Sequence, residues 1–322
     1  MRSTLYKFAI AALLGLGSLT AHAQAYPTKP IKVIVPNRPG GFADITTRLV
    51  AAELTKSLGQ NVLVENKPGA GATIGTFAAV KSPPDGYTLL SVFDSHATNP
   101  SLYKKLKYDT LKDLTPISLI VKGPSMLVVN AKFPAKSVAE LIEIAKKKPG
   151  AVKFAVVSPG SSARLYMERF KRMAKVNVKM VPYKGGAPAV VDLAGGQVDA
   201  MFVAIPTVTP YLQGGRLRGL AITSDKRSDM VPGVPTVSET LPGFQGEQWV
   251  AFFAPAKTSP EIIARLNAEI VKAVNQPAVK ERFQKQSFQT VGSSPAELDK
   301  WLRDQIDNWR STIVEAGIKL GK

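Results

Sequence analysis

Short apolar, β-branched runs alternate along this chain with stretches whose apolar residues recur at helical spacing. The pattern predicts a strand over residues 31–35, then a loop leading from residue 40 into a helix up to residue 58. In that helix Ile45, Leu49, Ala52 and Leu58 fall on or near one face, and Gly59 is a natural stop. A strand over 62–65, a helix over 73–81 and a strand over 87–93 complete a βαβαβ rhythm, which argues for a parallel sheet flanked by helices.

The rhythm then repeats. A strand is predicted over 125–129, and Ser137 with Glu140 forms a capping box at the head of the next helix, which stops at Pro149 and Gly150. A strand over 153–157 precedes a helix over 162–173, with Leu165, Tyr166, Phe170 and Met173 inward. A strand over 179–182, a helix over 187–194 and a strand over 198–203 follow. The chain finishes mostly helical, from Ser259-Pro260 to residue 274 and from a second capping box at Ser294 and Glu297, with Pro295 at the first helical position. Two α/β units that each resemble half a protein suggest two lobes, crossing near residues 121–124 and 223–227.

The first residues set the compartment. Arg2 and Lys7 precede an apolar run over residues 8–19, and Ala21-His22-Ala23 and Ala23-Gln24-Ala25 both fit a small-x-small cleavage site. That order predicts a secretory signal peptide cut after Ala23 or Ala25, the run being well short of the ~20 residues of a spanning helix. The expected location is the periplasm. The chain has no cysteine, which removes disulfides, thiol catalysis and thiolate metal sites. Its net charge is +18, but the basic residues are scattered and not interleaved with aromatics, so nucleic acid is not an expected partner. A basic surface attracts anions.

In open parallel sheets ligands sit beyond the carboxyl ends of strands, and three such segments carry donors. The first is residues 36–44, where Gly40 and Gly41 let the backbone approach a ligand and Phe42 and Ala43 begin a helix whose N-terminus suits an anion. Asp44 is expected to be structural there. The second is residues 93–100, read as a loop, where Ser95 and His96 follow Asp94. The third is residues 158–163, where Ser158, Gly160, Ser161, Ser162 and Ala163 join a strand to a helix beside Arg164. The glycines of residues 68–75 are spaced G-x-G-x-x-x-G, which is not the dinucleotide fingerprint and reads as close packing where a helix begins.

No catalytic residue, cofactor or metal site is expected. The chain lacks a G-x-S-x-G elbow, a Walker loop and an H-E-x-x-H helix, and only His96 remains once the signal is removed. The alternative is a secreted serine-dependent hydrolase of a small ester or amide.

Ordered motifs cover the mature chain. They include Tyr26-Pro27-Thr28-Lys29-Pro30-Ile31, Pro39-Gly40-Gly41 with Asp44, Val64-Glu65-Asn66-Lys67-Pro68-Gly69-Ala70-Gly71 and Pro84-Asp85-Gly86-Tyr87. Further along stand Asn99-Pro100-Ser101-Leu102-Tyr103, Val181-Pro182-Tyr183-Lys184-Gly185, Gly196-Gln197-Val198-Asp199 and Val234-Pro235-Thr236. With these the sequence resembles the Bug-type receptors, the periplasmic substrate-binding proteins of tripartite tricarboxylate transporters. The resemblance implies an α/β, two-lobed periplasmic-binding-protein fold of type II, with parallel-rich sheets, flanking helices and a hinged cleft. One lobe would comprise residues 26–124 and 224–322 and the other residues 125–223. It implies capture of a small organic carboxylate by the first and third segments, for transport with a cognate membrane permease or for sensing, by a monomer.

By matching position the resemblance assigns Gly41, Phe42, Ala43, Ser95, Ser161 and Ser162 to the ligand loops. The sequence departs from the family at Asn37, where an aromatic is usual, at Arg164, where histidine is common, and at Val203, where an acidic residue is common. Val203 and Ala204 cannot pair with an ammonium, whereas Arg38 and Arg164 lie in or beside the ligand loops, so the expected ligand is a carboxylate without a free amino group; the alternatives are that both arginines point to solvent and that Asp94 supplies the partner for an amino acid's ammonium.

Overall fold

A computed structural model describes residues 26–157, 161–183 and 185–318. The expected signal peptide and its cleavage site, and the candidate ligands Ser158 and Gly160, lie outside the described residues. Strands β1 (Ile31–Val35), β2 (Val62–Asn66) and β3 (Thr88–Phe93) pair in parallel, with Val33 opposite Val64 and Leu89. Helices α1 (Phe42–Leu58) and α2 (Thr73–Val80) connect them, as the βαβαβ rhythm requires. In the first turn of α2 Gly75 packs so closely that an added Cβ would sit 2.6 Å from the Lys67 carbonyl oxygen and 2.8 Å from Pro36 Cβ. That close approach accounts for Gly75, while Gly69 and Gly71 take positive φ values of +141° and +62°.

The centre of the sheet is a strand the sequence pattern showed only in part. β4 runs unbroken over Leu114–Asn130. Up to Pro124 it pairs with β9 (Glu247–Pro255), and near Val121 with the short β10 (Gln289–Thr290). From Ser125 onward it pairs with β7 (Ala200–Ala204) and β8 (Leu217–Ile222). β5 (Lys153–Val156) and β6 (Lys179–Pro182) extend the far side in parallel, giving the order β2-β1-β3-β9-β4-β7-β5-β6. The antiparallel pairs around β4 and β9 make the sheet mixed.

Alternation along the strands builds a core on each face. In the half around β1, Val33 and Phe252 face α1 and α8 (Pro260–Val274), while Ile34 and Phe253 face the opposite layer. In the other half Leu127 and Phe202 face α4 (Val138–Lys147) and α5 (Ser162–Ala174). Met126 and Met201 face α6 (Gly186–Gly195) and α7 (Ile205–Gln213). Each half is thus an α/β sandwich with its own core, which is the two-lobed periplasmic-binding-protein architecture. Among the described residues no helix is long and apolar enough to cross a membrane.

The end of the chain departs from simple bilobal packing. α3 (Ser95–Leu102) follows β3, and α9 (Pro277–Gln284) follows α8. The last helix, α10 (Pro295–Glu315), begins with the expected capping box. It packs Leu298, Leu302 and Ile306 against the β1 half, but Trp309 and Ile313 into the core around α5. Arg169 on α5 fastens it. The guanidinium lies 4.0 Å from the centre of the Trp309 ring and donates to Thr312 Oγ1, the Asn308 carbonyl and the Gln245 carbonyl. Burial lowers the Arg169 pKa to about 10, so it stays charged at neutral pH.

Two expectations need correction. The α1 face named from the pattern is only partly the core face: Leu49 and Leu58 pack against the core, but Ile45 and Ala52 do not. Ile45 is 41% exposed and Ala52 is exposed, while Ala43, Thr46, Thr47, Val50, Ala51 and Leu54 are buried. Buried polar residues, Asp44, Thr46 and Thr47, disguise the true face. Thr47 Oγ1 donates to the Ala43 carbonyl and lies 2.6 Å from Ser91 Oγ. Residues 95–100 are also not loop: α3 starts directly at Ser95.

Candidate ligand-binding site

The three donor-bearing segments all follow the carboxyl ends of parallel strands: β1, β3 and β5. After β1 the chain turns at Gly40, whose φ of +80° favours glycine, and starts α1 at Gly41 with no side chain capping the first turn. Asp44 locks this turn. Its Oδ2 accepts from the Gly40 N–H at 2.9 Å, and its Oδ1 accepts from Asn66 Nδ2 at 2.9 Å. Arg48 closes the set with an ion pair at 3.0 Å. Burial would raise the Asp44 carboxyl, but Arg48, Gly40 and Asn66 outweigh it and hold the pKa below the usual value. Asp44 is therefore a structural clamp, as expected, and among the described residues no side chain caps the first turn of α1, where the N–H groups of Phe42 and Ala43 lie.

Gly41 has an ordinary φ of −81°, and an added Cβ would meet nothing closer than the Arg38 carbonyl at 3.7 Å. The fold does not require glycine there, so its effect is to leave the turn bare. Phe42 is anchored by a stacked contact with Phe288, ring centroids 3.9 Å apart. Ala43 is buried in the core below, and Arg38 is exposed.

The second segment places Asp94 and Ser95 at the start of α3. Ser95 is 8% exposed, and its hydroxyl has no hydrogen-bond partner among the described residues. His96 is buried, its ring 5.3 Å from that of Phe253 and neither nitrogen partnered among the described residues. Burial pushes its pKa down to about 3, so the imidazole is neutral. It has the surroundings of a packed core ring.

In the third segment Ser161 caps α5, its Oγ accepting from the Arg164 N–H at 3.3 Å. Ser162 then faces the β3 end: its hydroxyl interacts with the Asp94 carboxyl. Ala163 packs against the core under α5, and Arg164 is half-buried. Val203 lies at the carboxyl end of β7, buried among Met126, Ala155 and Val208. The structure thus brings the second and third segments into contact and sets the first beside the second through the pairing of β1 with β3. In the sequence Asp94 stands out only as a possible partner for a ligand ammonium and not as the residue between the two segments, for which an acid ending an apolar strand is the available signal. Among the described residues no group of three or more His, Cys, Asp or Glu is placed to hold a metal ion.

Comparison with known proteins agrees with this architecture. Residues 46–318 match the family model described as the tripartite tricarboxylate transporter family receptor. BugT of Bordetella pertussis is 42% identical over 92% of this chain and 92% of its own length. An R. palustris protein solved with adipate superposes with a TM-score of 0.82 at 33% identity, covering 91% of this chain and 99% of that one. MatC from Rhodopseudomonas palustris, solved with bound malate, gives 0.78 at 32% identity, covering 89% and 100%. The periplasmic binding protein BugD gives 0.79 at 32% identity, covering 91% and 99%. The chain belongs to the tripartite tricarboxylate transporter receptor family and is a solute-binding receptor of the Bug type.

Proposed function

We propose that the mature protein works in the periplasm, after signal cleavage at Ala23 or Ala25, and captures a small organic carboxylate without transforming it. The observation that carries this is the convergence of donors from two halves of the sheet. The uncapped start of α1 and the Ser95 hydroxyl lie on one side, and the start of α5 with Ser162 lies on the other. Helix N-termini favour anions, and hydrogen bonds to a charged group contribute about 1.5–3 kcal/mol each. The adipate and malate carried by two structural neighbours point to the same ligand class.

The lobes in this proposal are residues 26–124 with 224–322, and residues 125–223. Closure would turn about β4 near Gly123 and about Thr223, with a membrane permease as the receiver of the ligand. Arg38 and Arg164 are proposed to meet a second carboxylate. Catalysis has no support in the geometry: the neutral His96 packs on Phe253 and pairs with no serine among the described residues.

A thermal-shift panel of mono-, di- and tricarboxylates, amino acids and aromatic acids tests this. A ligand at a hundredfold excess over its dissociation constant adds roughly 2.7 kcal/mol of stability. No shift with any acid, together with ester or amide turnover abolished by Ser161→Ala, would replace the receptor with a hydrolase.

A further inference from the structure

The site contains a buried acid, Asp94, on which no cation acts among the described residues. Asp94 ends β3 and is 8% exposed. It stands between the Ser95 side of the site and Ser162 on the other half of the protein. The groups facing it are the Ser95 N–H on its own segment, the Ser162 hydroxyl and the Tyr166 side chain, the latter two from α5. None of these is cationic. Arg169 and Glu247 act on Tyr166 in turn. Arg169 is already committed to Thr312, Asn308 and Gln245.

An anionic ligand drawn to the two helix starts would therefore meet a second negative charge beside Ser95 and Ser162. Like charges in one site drive one of the two groups to protonate. The alternative is a cationic group on the ligand. An ammonium has three N–H donors to satisfy, and Val203 and Ala204 at the neighbouring β7 end bring no side-chain acceptor.

Resting on the carboxylate-receptor function above, we propose that Asp94 is a specificity residue that takes up a proton as the anion binds. Its neutral carboxyl then donates a hydrogen bond to the ligand, so capture is coupled to a proton and strengthens as the pH falls. Desolvation by burial already pushes the Asp94 pKa up to about 6, against the lowering effect of Ser162 and Ser95. A nearby ligand carboxylate moves it further in the same direction.

Calorimetric titration of the wild-type protein with adipate and with malate, from about pH 6.5 to about pH 8.5, tests this while both acids are ionised. Buffers of different ionisation enthalpy report the protons exchanged. The expected result is uptake of about one proton per bound anion, with affinity falling up to about tenfold per pH unit. Asp94→Asn, a neutral isostere, is expected to bind with little pH dependence and to outbind the wild type at the alkaline end. Proton-neutral binding by the wild type, or the same pH slope in Asp94→Asn, would overturn the proposal. So would loss of binding in an Asp94→Asn protein that melts normally, because the ionised carboxylate would then be the working form. If neither protein binds either acid, the carboxylate-receptor function itself fails for these ligands and the proposal falls with it.

Discussion

Thr223 and Ser125 are bonded to each other twice, through the Thr223 N–H to the Ser125 carbonyl and through the Ser125 N–H to Thr223 Oγ1, each at 2.9 Å. The same threonine is bonded twice to Gly246: its hydroxyl donates to the Gly246 carbonyl at 2.6 Å, and its carbonyl accepts from the Gly246 N–H at 2.9 Å. One fully buried side chain therefore ties together β4, the end of β8 and the segment entering β9, where the chain passes between the halves.

Thr223→Val keeps the shape of the side chain and removes both hydroxyl bonds. It leaves the Ser125 N–H and the Gly246 carbonyl buried and unpaired, at about 1–3 kcal/mol each. Denaturant unfolding should show a loss of about 2–5 kcal/mol. Because the clamp sits at the proposed hinge, small-angle scattering should also show a larger radius for the ligand-free variant. A change of stability below the error of the measurement would remove Thr223 from this role.

Asp44→Ala should loosen the turn that presents the α1 N-terminus. The Gly40–Asp44–Asn66 set collapses, and carboxylate affinity should fall about tenfold or more, equivalent to about 1.4 kcal/mol per factor of ten. Asp44 has a depressed pKa in the folded protein, so its stabilising effect is present above the usual carboxylate pKa and is lost as the pH falls through the folded value. The wild-type and variant stabilities should therefore converge on acidification below about pH 4. Parallel pH profiles would contradict this.

Asp94 has the opposite sign. It titrates near pH 4 in an unfolded chain and near 6 in the folded one. Between those values the folded protein binds more protons, so its stability declines as the pH rises and then levels off. Asp94→Asn should raise the ligand-free melting temperature at pH 7 by a few degrees, with the gain vanishing toward about pH 4. A variant that melts lower than wild type at pH 7 would show that the ionised carboxylate is stabilising.

The sequence was most readable where local chemistry decides structure. Ser259-Pro260 and the Ser294–Glu297 capping box placed α8 and the start of α10 at their observed positions. It was least readable where tertiary contacts satisfy polar groups or override breakers. Thr47 and Asp44 lie on the buried side of α1 because Ser91, Asn66 and the Ala43 carbonyl receive them. β4 runs through Gly123 and Pro124, two residues that locally argue for a break. Gly123 is needed there because a Cβ would sit 2.6 Å from Phe288 Cδ1 and 2.7 Å from the Ser287 carbonyl. The passage of α10 from one core into the other is invisible in its periodicity, since Ile306 and Trp309 continue one apolar stripe. For the site, strand ends and serines located the segments. The contact between Ser162 and Asp94 depends on how the two halves face each other, which no local pattern records.

The structure of the mature protein crystallised with its tightest-binding acid tests the central claim most directly. The account predicts one ligand carboxylate at the first-turn N–H groups of Phe42 and Ala43, directly or through water. It predicts that the Ser95 and Ser162 hydroxyls reach the ligand from opposite halves. An acid bound to one half alone, or away from the ends of β1, β3 and β5, would contradict it.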